Sequence, residues 1–494
     1  MCHSLRFTKR WILPSPSQEC SLRAVHRPVK RQAVVKQDNE YFPLRNPQSV
    51  DSDSSIWNWA QNARLGERSR LRRPASEAEL QSLIASHPGK IRVLGSRLAA
   101  GRMLKADDND DLLLDLSRLS GLLSTTESSV TFAAATPLNE VYQTLTRMGR
   151  MLASSPGVIA IQTLAGAMAT GTHGQGLQQS SLADEAIAIR MVLADGTITE
   201  FDRQHPWFGA VQVALGCLGV VTAVTLHTVP ARIYTCFKNA VSASTLESDI
   251  YHWNNDFALS KAWWFVDDEQ MHVWCAREAS AEEQQKYQLN LGELVKQPDS
   301  NSSLNDTIEQ TLEHMHHDTQ IRGEGGRQFK TVTRFKDFSD VTGDIYQVFC
   351  RGIAVPQINV EIGIPLARAA DVIAKIKRWY AQNHPHMHYP IILRCTGPSS
   401  AWLSPAAQQA TCFFGFVVYY ADDGTLSTEG THFLSEVEKL LAAEGGRPHW
   451  GKYYHQHLYH WRECYPQWDA FRAVRQQLDP TGKFSNDYLS QLFD

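Results

Sequence analysis

A stretch of small residues from Thr163 to Gly176 is the first feature of the sequence that could do chemistry. Its fourteen residues, TLAGAMATGTHGQG, include four glycines, three alanines and three threonines. Small residues let the backbone approach a ligand, and successive amide N–H groups form concavities that bind anions such as a diphosphate. A second stretch, GSRLAAG from Gly95 to Gly101, has the same character. Neither fits the dinucleotide or phosphate-loop fingerprints. One such loop is more simply a tight turn, but two of them favour a nucleotide, and the hydroxyls of Thr170 and Thr172 would add donors.

A second candidate is the basic stretch GGRPHWGKYYHQ, which runs from Gly445 to Gln456 and holds His449 and Lys452. A fixed cation beside a flavin stabilises the negative charge of the reduced ring, which is electrostatic catalysis of hydride acceptance. A surface basic patch would have the same composition. These residues alone leave both interpretations open.

Three groups of histidines have spacings that also occur in metal sites. They are His314, His316 and His317; His384, His386 and His388; and His455, His457 and His460. No accompanying cysteine or carboxylate pattern supports a metal. We expect solvated or locally hydrogen-bonded histidines and no metal.

The whole-chain composition is that of a globular protein of about three domains. The 494 residues are 43% hydrophobic and 20% charged, and the net charge of −4 gives no reason to expect a nucleic-acid partner. Nine scattered cysteines, never in a C-x-x-C pair, indicate a reducing compartment, and we expect the cytoplasm. The longest apolar stretch, VALGCLGVVTAVTL, is too short to span a bilayer, so we expect no transmembrane segment.

The N-terminal extension differs from the rest of the chain. Between Arg6 and Lys36 it carries eight Lys and Arg residues, and Glu19 is the one acid. A mitochondrial transit peptide has this composition. For residues 1–50 we favour a disordered tail, or a start codon placed too early, rather than a transit peptide.

The elements that must position these stretches mix helices and strands. ASEAELQSLIASHPG predicts a capped helix, PLNEVYQTLTRMG a helix begun by proline, and IAIRMVLADGTITEF a hairpin turned at Asp-Gly. The second half predicts an antiparallel pair in ALSKAWWFVDDEQMHVWCARE. It also predicts the strands PQINVEIGIP, PIILRCTG and TCFFGFVVYY, separated by helices. No regular βαβ repeat is present, so the pattern predicts an α+β fold with one antiparallel sheet and helices on one of its faces.

The motifs GTHGQG, LADG, ALGCLGVVTAVTL, GGRPHWGK and LDPTG, in this order, resemble the aldonolactone oxidoreductases. That family belongs to the vanillyl-alcohol-oxidase-like (PCMH-type) flavoproteins and includes L-gulonolactone and D-arabinonolactone oxidases. The resemblance runs from about Trp57 to the C-terminus and is least certain over the polar run 284–327. It implies a two-part FAD-binding domain at 51–232, an α+β cap domain carrying the substrate site at 233–435, and a segment at 436–494 that returns to the flavin.

The resemblance also implies roles for individual residues. Lys452 matches a lysine near flavin N1 with His449 beside it, and Arg394 matches the arginine of a Glu-x-Arg pair that helps to hold substrate and reduced flavin. The residues expected to contact the cofactor are Gly95, Ser96, Arg97, Leu98, Gly101, Gly166, Thr170, Gly171, Thr172, His173, Gly174, Gly176, Gly219 and Val220. On this interpretation Gly166 to Gly176 lies along the FAD pyrophosphate.

Two departures from the family pattern change what is expected. Leu98 stands where many members have a histidine that bonds covalently to the flavin, so we expect FAD to be held non-covalently. Ile392 stands where the glutamate of Glu-x-Arg is expected, and that glutamate is thought to contact substrate hydroxyls. Glu361 is a carboxylate on a nearby strand, but it matches a different family position, and we expect a structural role for it.

The sequence therefore predicts an FAD-dependent oxidoreductase. It would take hydride from a secondary alcohol of a sugar-1,4-lactone or related polyol and pass the electrons to oxygen or another carrier. Two alternatives remain open: a flavin oxidase for a different alcohol or an oligosaccharide, and a flavin-binding protein that does not turn over, which Ile392 motivates.

Overall fold

The computed structural model describes residues 54–295, 318–349 and 357–494, except residues 109, 156, 158 and 336. The predicted N-terminal extension at 1–50 lies outside the described residues. So does the part of the polar run from 296 to 317, with its histidines at 314, 316 and 317.

The first half of the chain builds two sheets. A three-stranded parallel sheet has the order Leu71–Arg72, Leu112–Asp115, Ile91–Leu94. An antiparallel sheet has the order Ile198–Asp202, Ala186–Val192, Val220–His227, Ser129–Ala133, Leu122–Thr125. The α-helices of this half are Glu77–Ser86, Leu138–Arg147, Leu164–Ala169 and Phe208–Gln212, and its 3-10 helices are Arg68–Arg70, Arg102–Leu104 and Leu182–Glu185.

Local sequence accounts for the ends of two elements in this half. The Ser76 side chain accepts the Glu79 amide N–H at the start of the helix Glu77–Ser86, which satisfies one otherwise unpaired donor. The hairpin after Ala186–Val192 turns at Gly196, whose φ of +86° suits glycine. The helix and the hairpin predicted from these two stretches are confirmed.

The second half is organised around one antiparallel sheet of eight strands. Its order is Phe338–Asp344, Ile233–Ser242, Gln270–Glu278, Leu259–Phe265, Ile391–Thr396, Thr411–Tyr419, Gln357–Pro365, Arg447–Pro448. The α-helices are Leu246–Asp256, Ala281–Leu289, Ile345–Phe349, Ala369–Asn383 and Thr428–Ala443, with a 3-10 helix at Leu366–Arg368. The predicted antiparallel sheet is confirmed. One detail differs, because the described connection at residues 397–410 contains no helix between its two flanking strands.

Side chains alternate along each strand, so the two faces of this sheet contact different parts of the protein. On one face the Phe416 ring lies 5.8 Å from Phe433 of the helix Thr428–Ala443, and that helix in turn has Phe433 6.1 Å from Trp379 of the helix Ala369–Asn383. The alternating residues Gly415, Val417 and Tyr419 belong to the opposite face, where Val417 and Tyr419 line a cleft.

The C-terminal segment ties the second half back to the first. It contains a 3-10 helix at Gln456–Leu458 and the α-helices Trp461–Cys464, Trp468–Leu478 and Asp487–Phe493. The Ile91 amide donates to the Lys483 carbonyl at 2.8 Å, and the buried Arg92 guanidinium donates to the Phe484 carbonyl. Three two-stranded pairs complete the α+β fold: Ser55–Trp57 with Arg64–Glu67, Arg150–Met151 with Val229–Pro230, and Asp318–Glu324 with Arg327–Arg334. Among the described helices, none combines the length and the apolar character needed to cross a membrane.

Candidate active site

One cleft lies between the sheets of the first half and the free face of the eight-stranded sheet. It encloses about 2190 Å³ of empty space, part of which is open to solvent. Both stretches of small residues, the strand that starts at Val220 and the stretch around Lys452 contribute to its walls.

Most of the residues predicted from the sequence meet in this cleft. Those that line it are Gly95, Ser96, Arg97, Leu98, Gly166, Thr170, Thr172, His173, Gly219, Val220, Arg394, His449 and Lys452. Four predicted residues do not line it: Gly101, Gly171, Gly174 and Gly176. Gly101 faces a neighbouring cleft together with Tyr453 and Tyr488.

Three of the glycines that miss the cleft are needed for packing inside the protein. A Cβ at Gly174 would lie 2.1 Å from Oε1 of Gln179, and one at Gly176 would lie 2.3 Å from the carbonyl oxygen of Ala258. Gly171 has a φ of +72°, and a Cβ there would lie 2.9 Å from Cδ of Pro405. Only part of the stretch from Gly166 to Gly176 therefore faces the space where a cofactor would lie.

The loop from Gly95 to Ala100 fits a bound anion. In the described part of the chain, the amides of Ser96, Leu98 and Ala99 donate to no other group, and Arg97 has a positive φ of 57°. Such a turn directs successive amides to one side. The Ala100 amide donates to the Gly451 carbonyl at 3.0 Å, which fastens this loop to the stretch around Lys452.

Other groups on the same walls suit a flavin nucleotide. Trp59 lines the cleft, and its buried indole nitrogen Nε1 has no hydrogen-bond partner among the described residues. The hydroxyls expected to be donors to the ligand already have protein partners. Thr170 Oγ1 donates to the Gly166 carbonyl at 3.1 Å, and Thr172 Oγ1 donates to Oε1 of Gln162 at 2.9 Å. What these walls offer a ligand is therefore mainly backbone amides and small and apolar side chains.

A buried cluster of charges lines the cleft on the side of the eight-stranded sheet. Glu361, 3% exposed, pairs with the Arg394 guanidinium through Oε1. Its Oε2 lies 3.9 Å from Nζ of Lys452, whose side chain is 17% exposed. His173 Nε2 lies 3.5 Å from Oε1 of Glu361, and the His173 ring stacks on Phe413 at 3.6 Å.

The electrostatics of this cluster favour an anion. Burial raises the pKa of Glu361, but the positive charges of Arg394 and Lys452 outweigh burial and hold that pKa well below its ordinary value. Burial lowers the pKa of His449 and of His173, so both rings are neutral near pH 7. Two cations thus face one carboxylate, which leaves an excess of one positive charge.

The hydrogen bonds of the two imidazoles fix where their protons stand. The Gly451 amide donates to Nδ1 of His449 at 3.0 Å, so the neutral ring carries its proton on Nε2. Nδ1 of His173 lies 3.0 Å from the Gly174 carbonyl and donates to it. The ligand atoms of His173, Glu361 and His449 lie within 4.8 Å of one another, a spacing that a metal could use. Arg394 and Lys452, however, already occupy that carboxylate and would repel a cation.

Glu361 is the functional candidate that sequence reasoning missed. It stands in one lateral row with Gly415 and Ile392, because Gly415 pairs with Glu361 on one side and with Ile392 on the other. An acid between the apolar Val360 and Ile362, in the strand Gln357–Pro365, was the signal available in the sequence. The cleft is also lined by aromatic and apolar side chains from Trp263, Tyr389, Val417 and Tyr419, and by polar ones from Lys261, Gln357 and Asn359.

Comparison with known proteins agrees with this arrangement. A model described as "FAD binding domain" matches residues 69–202, which include both stretches of small residues. The fold and the cleft thus define an FAD-binding flavoprotein. A model described as "D-arabinono-1,4-lactone oxidase" matches residues 224–492, more than half of the chain. The chain belongs to the D-arabinono-1,4-lactone oxidase family.

Curated relatives match over most of their length. The chain is 28% identical over 458 residues to an L-gulono-1,4-lactone dehydrogenase of Mycobacterium tuberculosis, which covers 89% of this chain and 99% of the relative. It is 25% identical to the L-gulonolactone oxidase of Mus musculus, over 85% of this chain and 94% of that one. It is also 25% identical to an alditol oxidase of a Streptomyces species, over 89% and 99%.

Among solved structures, a cholesterol oxidase from Brevibacterium sterolicum superposes with a TM-score of 0.67. The match covers 92% of this chain and all of that one at 15% sequence identity. At this identity the similarity shows a shared fold and nothing about the substrate.

Proposed function

We propose that this protein oxidises a secondary alcohol of a sugar-1,4-lactone, or of a related polyol, with non-covalently held FAD. The observation that carries the proposal is the buried cluster of Glu361, Arg394 and Lys452, with its one excess positive charge, in a cleft whose other walls suit FAD. The names of the curated relatives support a lactone or alditol as the substrate class.

In this proposal the residues of the chain bind FAD and orient the substrate. FAD, when bound, supplies the acceptor for the hydride that leaves the alcohol carbon. The amides of the loop Gly95–Ala100 and the indole of Trp59 would hold the cofactor. Arg394 and the Nε2–H of His449 are the donors available to substrate oxygens, and Lys452 places a positive charge where negative charge develops. Because these groups are fixed before the reaction, they stabilise that charge with little reorganisation.

A second candidate substrate class is an alcohol with an apolar part. Ile392 presents a hydrocarbon side chain where a carboxylate would bind sugar hydroxyls, and Trp263 pairs with it on the adjacent strand. An apolar part of a substrate would contact this hydrocarbon and aromatic surface, whereas Lys261, Gln357 and Asn359 of the same cleft are polar groups that a sugar lactone could use.

The direct test is anaerobic mixing of the yellow protein with a panel of sugar lactones, alditols and apolar secondary alcohols. We expect a sugar lactone to bleach the flavin band, and repeating the experiment under air identifies oxygen as an acceptor if the colour returns. Bleaching by the apolar alcohols alone would favour the second candidate. No bleaching by any compound would contradict the proposal and leave a flavin-binding protein without turnover.

A further inference from the structure

Glu361 is the one acid of the charged cluster, and the cluster depends on it. Its carboxylate is almost entirely buried and contacts groups from three separate parts of the chain: His173, Arg394 and Lys452. The backbone of Glu361 also contributes, because its carbonyl accepts the His449 amide at 2.8 Å. A substitution that changes only the carboxylate would leave that backbone contact in place.

The contact between Arg394 and Glu361 crosses a whole strand. The two residues lie on the strands Ile391–Thr396 and Gln357–Pro365, and the strand Thr411–Tyr419 runs between them. Since neighbouring strands are about 4.8 Å apart, these two backbones are separated by about 10 Å. The row of Glu361 has Gly415 at its middle, and a Cβ there would lie 3.3 Å from Cβ of Ile392. Gly415 thus places no side chain in the middle of this row, and Gly157 makes room for the guanidinium, because a Cβ there would lie 2.5 Å from Nη1 of Arg394.

Lys452 is the member of the cluster whose charge is least secure. The groups that face it are Glu361 and Arg394 from the eight-stranded sheet and His449 from its own stretch, and His173 contacts the same carboxylate. Burial lowers the pKa of Lys452, Glu361 raises it, and Arg394 lowers it. Glu361 is thus the one group of this cluster that favours the charged ammonium.

We propose that Glu361 is a positioning residue that keeps Lys452 protonated inside the cleft, and that the absence of a side chain at Gly415 lets Arg394 hold the carboxylate in place for this task. The inference rests on the proposed role of Lys452. It assigns to Glu361 a function beyond that of a structural carboxylate, because the charge of Lys452 is what the reaction uses.

The sign of the effect follows from the charges. A lysine is charged below its pKa, and removal of the nearby carboxylate leaves the ammonium beside Arg394 with nothing to offset their repulsion. In Glu361→Gln, Lys452 should therefore lose its proton at a lower pH than in the unchanged protein. At pH values where Lys452 stays charged, the same variant has one more net positive charge and should attract anions at least as well.

Sulfite binding measures this without turnover. Sulfite binds reversibly to oxidised flavins, and positive charge beside the ring strengthens its binding. Titrations of the FAD-loaded protein from about pH 6 to about pH 10 should show a loss of affinity on the alkaline side that reports Lys452. We expect Glu361→Gln to move that loss by about one pH unit or more to lower pH, which is about tenfold weaker binding at a fixed alkaline pH.

Three controls separate the possible explanations. Glu438→Gln changes another fully buried glutamate, which accepts hydrogen bonds from His455 and Tyr459 away from the cleft, and should leave the sulfite profile unchanged. Lys452→Arg in the Glu361→Gln background should abolish the alkaline loss, because a guanidinium stays charged throughout. Gly415→Ala should move the loss in the same direction as Glu361→Gln but by less, and it keeps the test available if Glu361→Gln does not fold.

The outcomes distinguish this inference from the function on which it rests. An alkaline loss at the same pH in the unchanged protein, Glu361→Gln and Gly415→Ala would overturn the role of Glu361. If Lys452→Met binds sulfite as tightly as the unchanged protein at all pH values, the proposed role of Lys452 itself fails.

Discussion

At the scale of single residues, the site holds three charged side chains close together in a confined space. Arg394 and Lys452 would repel each other across the cleft without Glu361, and Glu361 would be too costly to bury without them. The result is a fixed excess of one positive charge beside the walls that suit FAD. Neutral His449 and His173 add hydrogen-bonding capacity without adding charge.

Leu98 is the residue on which the expectation of non-covalent FAD rests. Its side chain lines the cleft but has no nucleophilic atom, so it cannot form a bond to the flavin. We predict that acid precipitation of the purified protein leaves all of the yellow colour in the supernatant, measured as absorbance after centrifugation. Colour that stays in the denatured pellet would mean that another residue forms the bond, with His173 and His449 the nucleophilic rings among the described lining residues.

At the scale of elements, the short helix Leu164–Ala169 brings small residues to the cofactor wall. Ala165 is half-buried and lines the cleft, and the neighbouring Gly166 is exposed and lines it too. Gly171, by contrast, is held by Pro405, so enlarging it disturbs the turn before it reaches a ligand. Ala165 is therefore the sharper position at which to test this wall.

We predict that Ala165→Leu yields apoprotein whose thermal unfolding midpoint stays close to that of the unchanged apoprotein. The isobutyl side chain of leucine would occupy the part of the cleft proposed for FAD and would leave the protein core unchanged. Ala165→Ser, which adds a single oxygen, should keep FAD. The measurements are the ratio of flavin to protein absorbance and an unfolding curve for each apoprotein. Stoichiometric FAD in Ala165→Leu would show that the helix is no part of the cofactor wall.

The elements also show what sequence reasoning can and cannot reach. Helix and strand positions followed from local patterns, as in the helix capped by Ser76 and the hairpin turned at Gly196. The stretch from Gly166 to Gly176 was a less certain guide, because Gly174 and Gly176 are small for the sake of Gln179 and Ala258. A glycine needed for protein packing and one needed by a ligand have the same appearance in a sequence.

Glu361 illustrates the other limit. Its partners come from positions 173, 394 and 452, and nothing in the local sequence relates these distant positions. The register of three strands, with Gly415 in the middle, creates the contact. Such an arrangement is a property of strand order, which single-sequence patterns do not specify.

At the scale of the whole molecule, the cleft exists because distant parts of the chain close on one another. The first half supplies the walls that suit FAD, the eight-stranded sheet supplies Glu361 and Arg394, and the stretch around Lys452 connects the two through the bond from Ala100 to Gly451. The C-terminal segment then fastens to the first half. The buried Asn486 side chain donates to the carbonyls of Arg102, Met103 and Lys105 at 2.8–3.3 Å.

In the proposed function, the cleft uses the charge of Lys452 to promote oxidation of a lactone. Lys452→Met keeps an unbranched side chain of similar volume and removes the charge, so FAD should still bind. Removing one preorganised electrostatic contact of this kind costs about a hundred- to a thousandfold in rate. Lys452→Arg should recover part of the loss, because a guanidinium is planar and spreads its charge.

The measurement is anaerobic stopped-flow reduction of the flavin by the best lactone, followed as bleaching of its visible band in the unchanged protein and both variants. We predict that the rate of flavin reduction falls by about a hundred- to a thousandfold in Lys452→Met and is intermediate in Lys452→Arg. A Lys452→Met protein that binds FAD fully, and whose flavin is reduced within a few-fold of the original rate, would contradict the proposed role of the Lys452 charge.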